Sequence, residues 1–132
     1  AVRVGPFIGI PVDLGGVSET GVIDTQGGIG FQAIDVVASR LTFQGPLRVV
    51  GRARVGGGAP VEVRGATLSG DVRLGRQVVR QPRIAVHPLP PDIPSRVTIG
   101  TRVLRNFAVA IDQRSMLVRL ARADTGAVIL AE

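Results

Sequence analysis

The sequence predicts an all-β domain with one or two short helices. Short apolar runs rich in valine alternate with polar residues at the period of two that suits a half-buried strand. Glycine (18) and proline (9) are spread through the chain rather than gathered in a linker, so turns recur at short intervals. Only two stretches carry helical spacing, and both are short. At 132 residues the chain is large enough for one domain with a real core, and it is read as a single domain over 1–132.

Residues 7–12 read as the first strand, Asp13-Leu14-Gly15-Gly16 as turn chemistry, and 17–24 as the return strand. Residues 33–41 place Ile34, Val37, Ala38 and Leu41 on one face at helical spacing, which predicts the first helix. Residues 47–55 alternate, Gly56-Gly57-Gly58-Ala59-Pro60 forms a tip, and 61–66 alternate again, giving a projecting glycine-tipped hairpin. Two more strands, 66–73 and 78–86, are expected around Leu74-Gly75-Arg76. The proline-rich stretch 88–94 cannot be regular structure and connects onward. Val97-Thr98-Ile99-Gly100 is a short strand that stops at glycine, and 101–107 fit one or two helical turns with Val103, Leu104 and Phe107 inward. Strands at 108–112 and 116–120 close the chain as a hairpin around Asp112-Gln113-Arg114-Ser115.

Composition excludes several classes of function. The formal charge of +6 comes wholly from arginine, but the arginines are scattered singly, as on solvent-facing strand positions. With 3% aromatic residues and neither Trp nor Tyr, the chain lacks the stacking platforms of single-strand nucleic-acid binders. No cysteine is present, which removes disulfides, thiol catalysis and thiolate metal sites. The one histidine, His87, has no second His or Cys to join it, so a metal site is not expected; standing before Pro88, it reads as a solvated histidine at a strand end. Asp13, Asp71, Asp92 and Asp112 read as turn or loop residues rather than calcium ligands. Gly56-Gly57-Gly58 lacks a following Lys-Ser/Thr and is not a phosphate loop. No apolar run is long enough to span a bilayer, and no basic-then-apolar leader is expected at Ala1. The termini do not set a compartment; a periplasmic or membrane-associated place within a longer precursor is compatible with them.

The chemical content is concentrated in Gly21-Val22-Ile23-Asp24-Thr25-Gln26-Gly27-Gly28. An Asp ending an apolar strand is either turned into water or held for chemistry, and glycines directly after it let another backbone or a ligand come close. A second signal, a short strand that stops at glycine, arrives at Val97-Thr98-Ile99-Gly100.

These parts, in this order, resemble the retropepsin-like aspartic proteases, particularly the bacterial aspartyl-protease domains. The matching pieces are Val22-Ile23-Asp24-Thr25, then Val55-Gly56-Gly57-Gly58, then Thr98-Ile99-Gly100, then residues 101–112 with Leu104, Phe107 and Ile111-Asp112 in register. The resemblance covers about residues 6–121 and implies a closed, barrel-like sheet with a flap hairpin and one or two short helices. It also implies an aspartic endopeptidase: Asp24 as catalytic carboxylate, Thr25 holding the opposing loop through its hydroxyl, and Gly56, Gly57, Gly58 and Ala59 as the substrate-covering flap. Ile99 and Gly100 are the second structural signal. No cofactor and no metal are implied, and the partners are a peptide or protein substrate and a second lobe, from a homodimer or from outside this sequence. Nucleic acid is not an expected partner.

One departure stands inside the motif. Where the family has glycine after Asp-Thr, this chain has Gln26, followed by Gly27 and Gly28. The alternative is therefore a catalytically impaired relative that serves as a peptide-binding or dimerisation module. Asp124-Thr125-Gly126 spells the family motif without an apolar pair before it, and reads as an ordinary turn.

Overall fold

The computed structural model describes residues 2–4, 7–24, 30–54, 59–89, 95–112, 114–122 and 129–130. The strands are β1 (Val2–Val4), β2 (Phe7–Leu14), β3 (Val17–Ile23), β4 (Phe31–Ile34), β5 (Arg48–Ala53), β6 (Val61–Thr67), β7 (Val72–Leu74), β8 (Gln77–Arg80), β9 (Arg83–His87), β10 (Val97–Ile99), β11 (Phe107–Asp112), β12 (Leu117–Arg122) and β13 (Ile129–Leu130). Two single-turn helices, α1 (Asp35–Ala38) and α2 (Thr101–Leu104), complete the order. The fold class expected from the sequence, all-β with short helices, is the one observed.

Eleven strands join one mixed sheet in the order β13-β8-β7-β2-β3-β10-β4-β9-β6-β5, with β1 added beside β2. The expected closed sheet is corrected to an open one: the hydrogen-bonded path has β5 at one end and β13 at the other among the described residues. β11 and β12 form a separate two-stranded sheet. The β2–β3 hairpin arises as its sequence dictates. Leu14 pairs with Val17, and the two residues between them, Gly15 and Gly16, both take positive φ (62° and 100°), a geometry that matches strand twist and that glycine adopts without steric cost. Asp13 secures the turn by accepting the Gly16 N–H at 2.7 Å.

The helix expected at 33–41 is corrected. Ala33 and Ile34 belong to β4, and only residues 35–38 are helical. Ile34, Val37, Ala38 and Leu41 are all buried as the spacing required, but they reach the core from a strand end, one helical turn and a loop. The physical reason is that β4 has partners on both sides, antiparallel β10 and parallel β9, and this ladder outweighs the weak helix preference of a Val- and Ile-rich stretch. The two strands expected at 66–73 and 78–86 are also corrected: β6 runs on to Thr67, β7–β8 form a tight hairpin, and β9 is a separate strand from Arg83. Bends at Ser69-Gly70 and at Gln81, with positive φ (41°) at Gln81, divide the run.

The core is mainly aliphatic, with Phe31 and Phe107 as its buried aromatic members. Leu14, Phe31, Ile34, Ile84 and Ile99 are 0–2% exposed and belong to one cluster drawn from β2, β4, β9 and β10. Burying such side chains contributes about 1.5–3 kcal/mol each.

Candidate active site

Three adjacent strands build the ground on which Asp24 stands. β10 lies between β3 and β4, parallel to the first and antiparallel to the second, so Ile99 sits opposite both Ile23 and Phe31. Where β3 ends, the ladder continues one step further: the Asp24 N–H donates to the Ile99 carbonyl at 3.0 Å. On the other side of β10, the Gly100 N–H donates to the Gly30 carbonyl at 2.9 Å. The chain leaving β3, the chain entering β4 and the chain leaving β10 are thereby tied at one level. Asp24 itself is half-buried.

The sequence favours this meeting of backbones. β3 must pass close to β10 at Gly21, where a Cβ atom would come within 2.8 Å of Ile99 Cδ1 and 2.9 Å of Val12 Cγ1. Only glycine leaves that space to the two core side chains. Gly100 then starts α2: its carbonyl accepts from Val103 (3.1 Å) and Leu104 (3.0 Å), which turns the chain away from the site and sends Val103 and Leu104 into the core.

The structure brings Asp24, Ile99 and Gly100 together. Thr25, Gln26, Gly27 and Gly28 lie outside the described residues, as do Gly56, Gly57 and Gly58. Of the expected flap, the antiparallel hairpin β5–β6 is present, and Ala59 is an exposed residue at a bend before β6. Asp124, Thr125 and Gly126 lie outside the described residues, and so does Asp92. The turn roles read for the other aspartates hold. Asp71 accepts the Gln81 N–H (3.2 Å), and Asp112 accepts from Arg114 N–H (3.0 Å), Ser115 N–H (3.2 Å) and the Ser115 hydroxyl (2.9 Å). Those Ser115 and Arg114 hydrogen bonds hold the Asp112 carboxyl below its ordinary range.

His87 is corrected. It is 6% exposed rather than solvated, and neither ring nitrogen has a hydrogen-bond partner. Pro88 marks a strand end, but β9 is an interior strand between β4 and β6, and burial follows from that position. Burial pushes the imidazole pKa down, while the nearby Asp35 carboxylate acts in the opposite, weaker sense. Among the described residues no three of His, Cys, Asp and Glu come together as a metal site.

Two features carried no sequence signal. Glu19, on β3, accepts from Arg40 at 2.8 Å and lies 3.6 Å from Arg96, joining three distant parts of the chain beside β10. A groove of about 670 Å³ lies between β2, the β7–β8 turn and the β11–β12 hairpin, lined by Ile10, Leu74, Ile111 and Leu117 among others, and neither Asp24 nor Gly100 contributes to it.

No protein-family model matches the chain, and no curated protein matches it. Solved structures do match. A crystal structure of a retropepsin-like aspartic protease from Rickettsia conorii aligns over 81% of this chain and 85% of its own, with a TM-score of 0.63 and 18% sequence identity. Identity at that level speaks to architecture rather than chemistry. The chain has the all-β fold of a retropepsin-like aspartic protease lobe.

Proposed function

We propose that this chain is one lobe of an aspartic endopeptidase and that Asp24 is its catalytic carboxylate. The observation that supports this reading is the tie at the end of β3, where the Asp24 N–H meets the Ile99 carbonyl beside the Gly30–Gly100 hydrogen bond. A carboxylate fixed through its own backbone at a strand end, in a retropepsin-like fold, is suited to meeting a second carboxylate across a dimer axis.

In that reaction a water molecule lies between Asp24 and its counterpart from a second lobe. The two carboxyl groups share one proton, because like charges at that range cannot both ionise. The ionised member takes a proton from the water as its oxygen attacks the peptide carbonyl carbon, while the protonated member donates to the carbonyl oxygen. Collapse of the tetrahedral intermediate breaks the C–N bond, and the amine leaves with a proton. Thr25 braces the opposing loop, and the glycines Gly56, Gly57 and Gly58 with Ala59 cover an extended peptide. The second lobe is a second copy of the chain or a segment beyond this sequence.

A second reading rests on Gln26. A side chain in place of glycine beside the catalytic pair takes up room that water and substrate need, or moves the close approach to Gly27. The product would be a peptide-binding or dimerisation module without cleavage. One experiment separates the two: an unbiased peptide mixture incubated from about pH 3 to about pH 8, spanning a shared-proton pair, with products read by mass spectrometry. Cleavage lost in Asp24→Asn establishes the endopeptidase. No cleavage by a folded, dimeric protein at any pH leaves the binding module.

A further inference from the structure

The edge of the main sheet at β5 is unlike its other strands. Residues 48–52 are all exposed, and two adjacent valines, Val49 and Val50, are 56% and 54% exposed. β5 pairs with β6 alone, so among the described residues its other edge has no neighbouring strand. The pairing skips from Val49↔Arg64 to Gly51↔Val63, which leaves Val50 as a bulged residue without an opposite partner. An edge strand carries backbone N–H and C=O groups ready to pair with another chain.

The charges on this edge select what can pair there. Arg48 and Arg52 lie within β5, both exposed, and the strand has no acid. On β6, Arg64 is already held by Asp35 at 2.9 Å, and Glu62 stands opposite Arg52. A second copy pairing antiparallel across β5 in the register centred on Val50 would set Arg48 of one chain beside Arg52 of the other, and like charges directly opposite are destabilising. A strand that alternates apolar and acidic residues meets both the valines and the arginines favourably.

We propose that β5 is a docking edge for an extended acidic segment of a partner protein, added to the sheet as a further strand. Along the hydrogen-bonded path four strands separate β5 from β3, which carries Asp24 at its end. β5 is also one arm of the hairpin whose tip serves as flap in the catalytic reading; the docking edge is its outer side over residues 48–53, away from that tip. The arginines have two effects here: they keep copies of the chain from joining edge to edge, and they recognise the acidic strand.

The test uses the Asp24→Asn protein, so that a probe is not consumed by cleavage. Two end-blocked peptides of about eight residues, enough to span a strand of this length, alternate Val with Glu or Val with Lys. Calorimetric titration is expected to show the Val/Glu peptide binding at least about tenfold more tightly than the Val/Lys peptide, with the difference shrinking in about 0.5 M salt. Amide hydrogen exchange of the Asp24→Asn protein should slow at residues 48–53 when the Val/Glu peptide is added. The doubly substituted Arg48→Glu, Arg52→Glu protein, checked for an unchanged thermal transition, should reverse the preference. Equal binding of both peptides, no binding of either, or protection that maps to another strand overturns the proposal. Concentration-dependent protection of β5 without peptide also overturns it, since the occupant is then a second copy. None of these results alters whether the wild-type chain cleaves peptides.

Discussion

Gly21 is the residue on which the level of the site depends. Its missing side chain is the space filled by Ile99 Cδ1 and Val12 Cγ1. Gly21→Ala is expected to destabilise the protein by about 1–3 kcal/mol in urea unfolding, the usual cost of overpacking. Ile99→Val removes the Cδ1 atom that a new methyl would meet. The double variant should therefore lose less stability than the sum of the two single ones. His87 makes a different prediction. Burial lowers its folded-state pKa, so the folded protein favours the neutral ring. That contribution is fully present above the unfolded value of 6.5 and is lost as pH falls through 6.5 toward the folded pKa. Denaturant midpoints should fall between about pH 7 and about pH 5, by no more than about 1.4 kcal/mol per pH unit for the one proton. His87→Leu should flatten the dependence. A midpoint that falls equally in both proteins would place the acid sensitivity elsewhere.

Among the elements, those with self-contained patterns were legible in the sequence. The β2–β3 hairpin has alternation on both arms and two glycines between them, and it forms as read. The α2 turn and the closing hairpin were legible too: Val103, Leu104 and Phe107 are all buried, although Phe107, expected in the helical turns, opens β11 instead because α2 ends after one turn at Leu104. Residues 33–41 show the limit. Their spacing identified the buried set correctly, yet a period near four is also met by a strand that ends in a single helical turn. What decided the outcome was pairing to β9 and β10, from residues about fifty and sixty-five positions away, which no local window contains. His87 and the Glu19–Arg40–Arg96 cluster escaped for that same non-local reason. Of the candidate site, Asp24, Ile99 and Gly100 were readable because each ends an apolar run. The β11–β12 hairpin carries its own prediction at this scale. Among the described residues its strands pair only with each other, and the side-chain amide of Gln77 donates to the Leu120 carbonyl at 3.1 Å, tying it to β8. Gln77→Ala is expected to speed amide exchange in residues 107–121 while lowering global stability by only about 1 kcal/mol.

For the molecule as a whole, one Asp24 per chain sets the expected kinetics. If the second carboxylate comes from a second copy, specific activity rises with protein concentration until dimers saturate. Sedimentation across the same range should show the monomer giving way to dimer as activity appears. Activity strictly proportional to concentration throughout would mean that the dimer never dissociates in that range or that each chain acts alone, and sedimentation tells these apart. A chain of formal charge +6 repels its own kind, so moderate salt should favour association.

The threading of β10 has a consequence in time. β3 and β4 are complete by residue 34, yet they are not paired with one another in the finished sheet; a strand of three residues, made more than sixty positions later, lies between them. Until that strand arrives, the Asp24 amide has no Ile99 carbonyl to bond and Gly30 has no Gly100. Closing such long loops is slow relative to hairpin formation. A growing or half-folded chain can hold its hairpins and still lack the seat for its carboxylate, so the chemistry proposed for it would be switched on last, by the completion of folding itself.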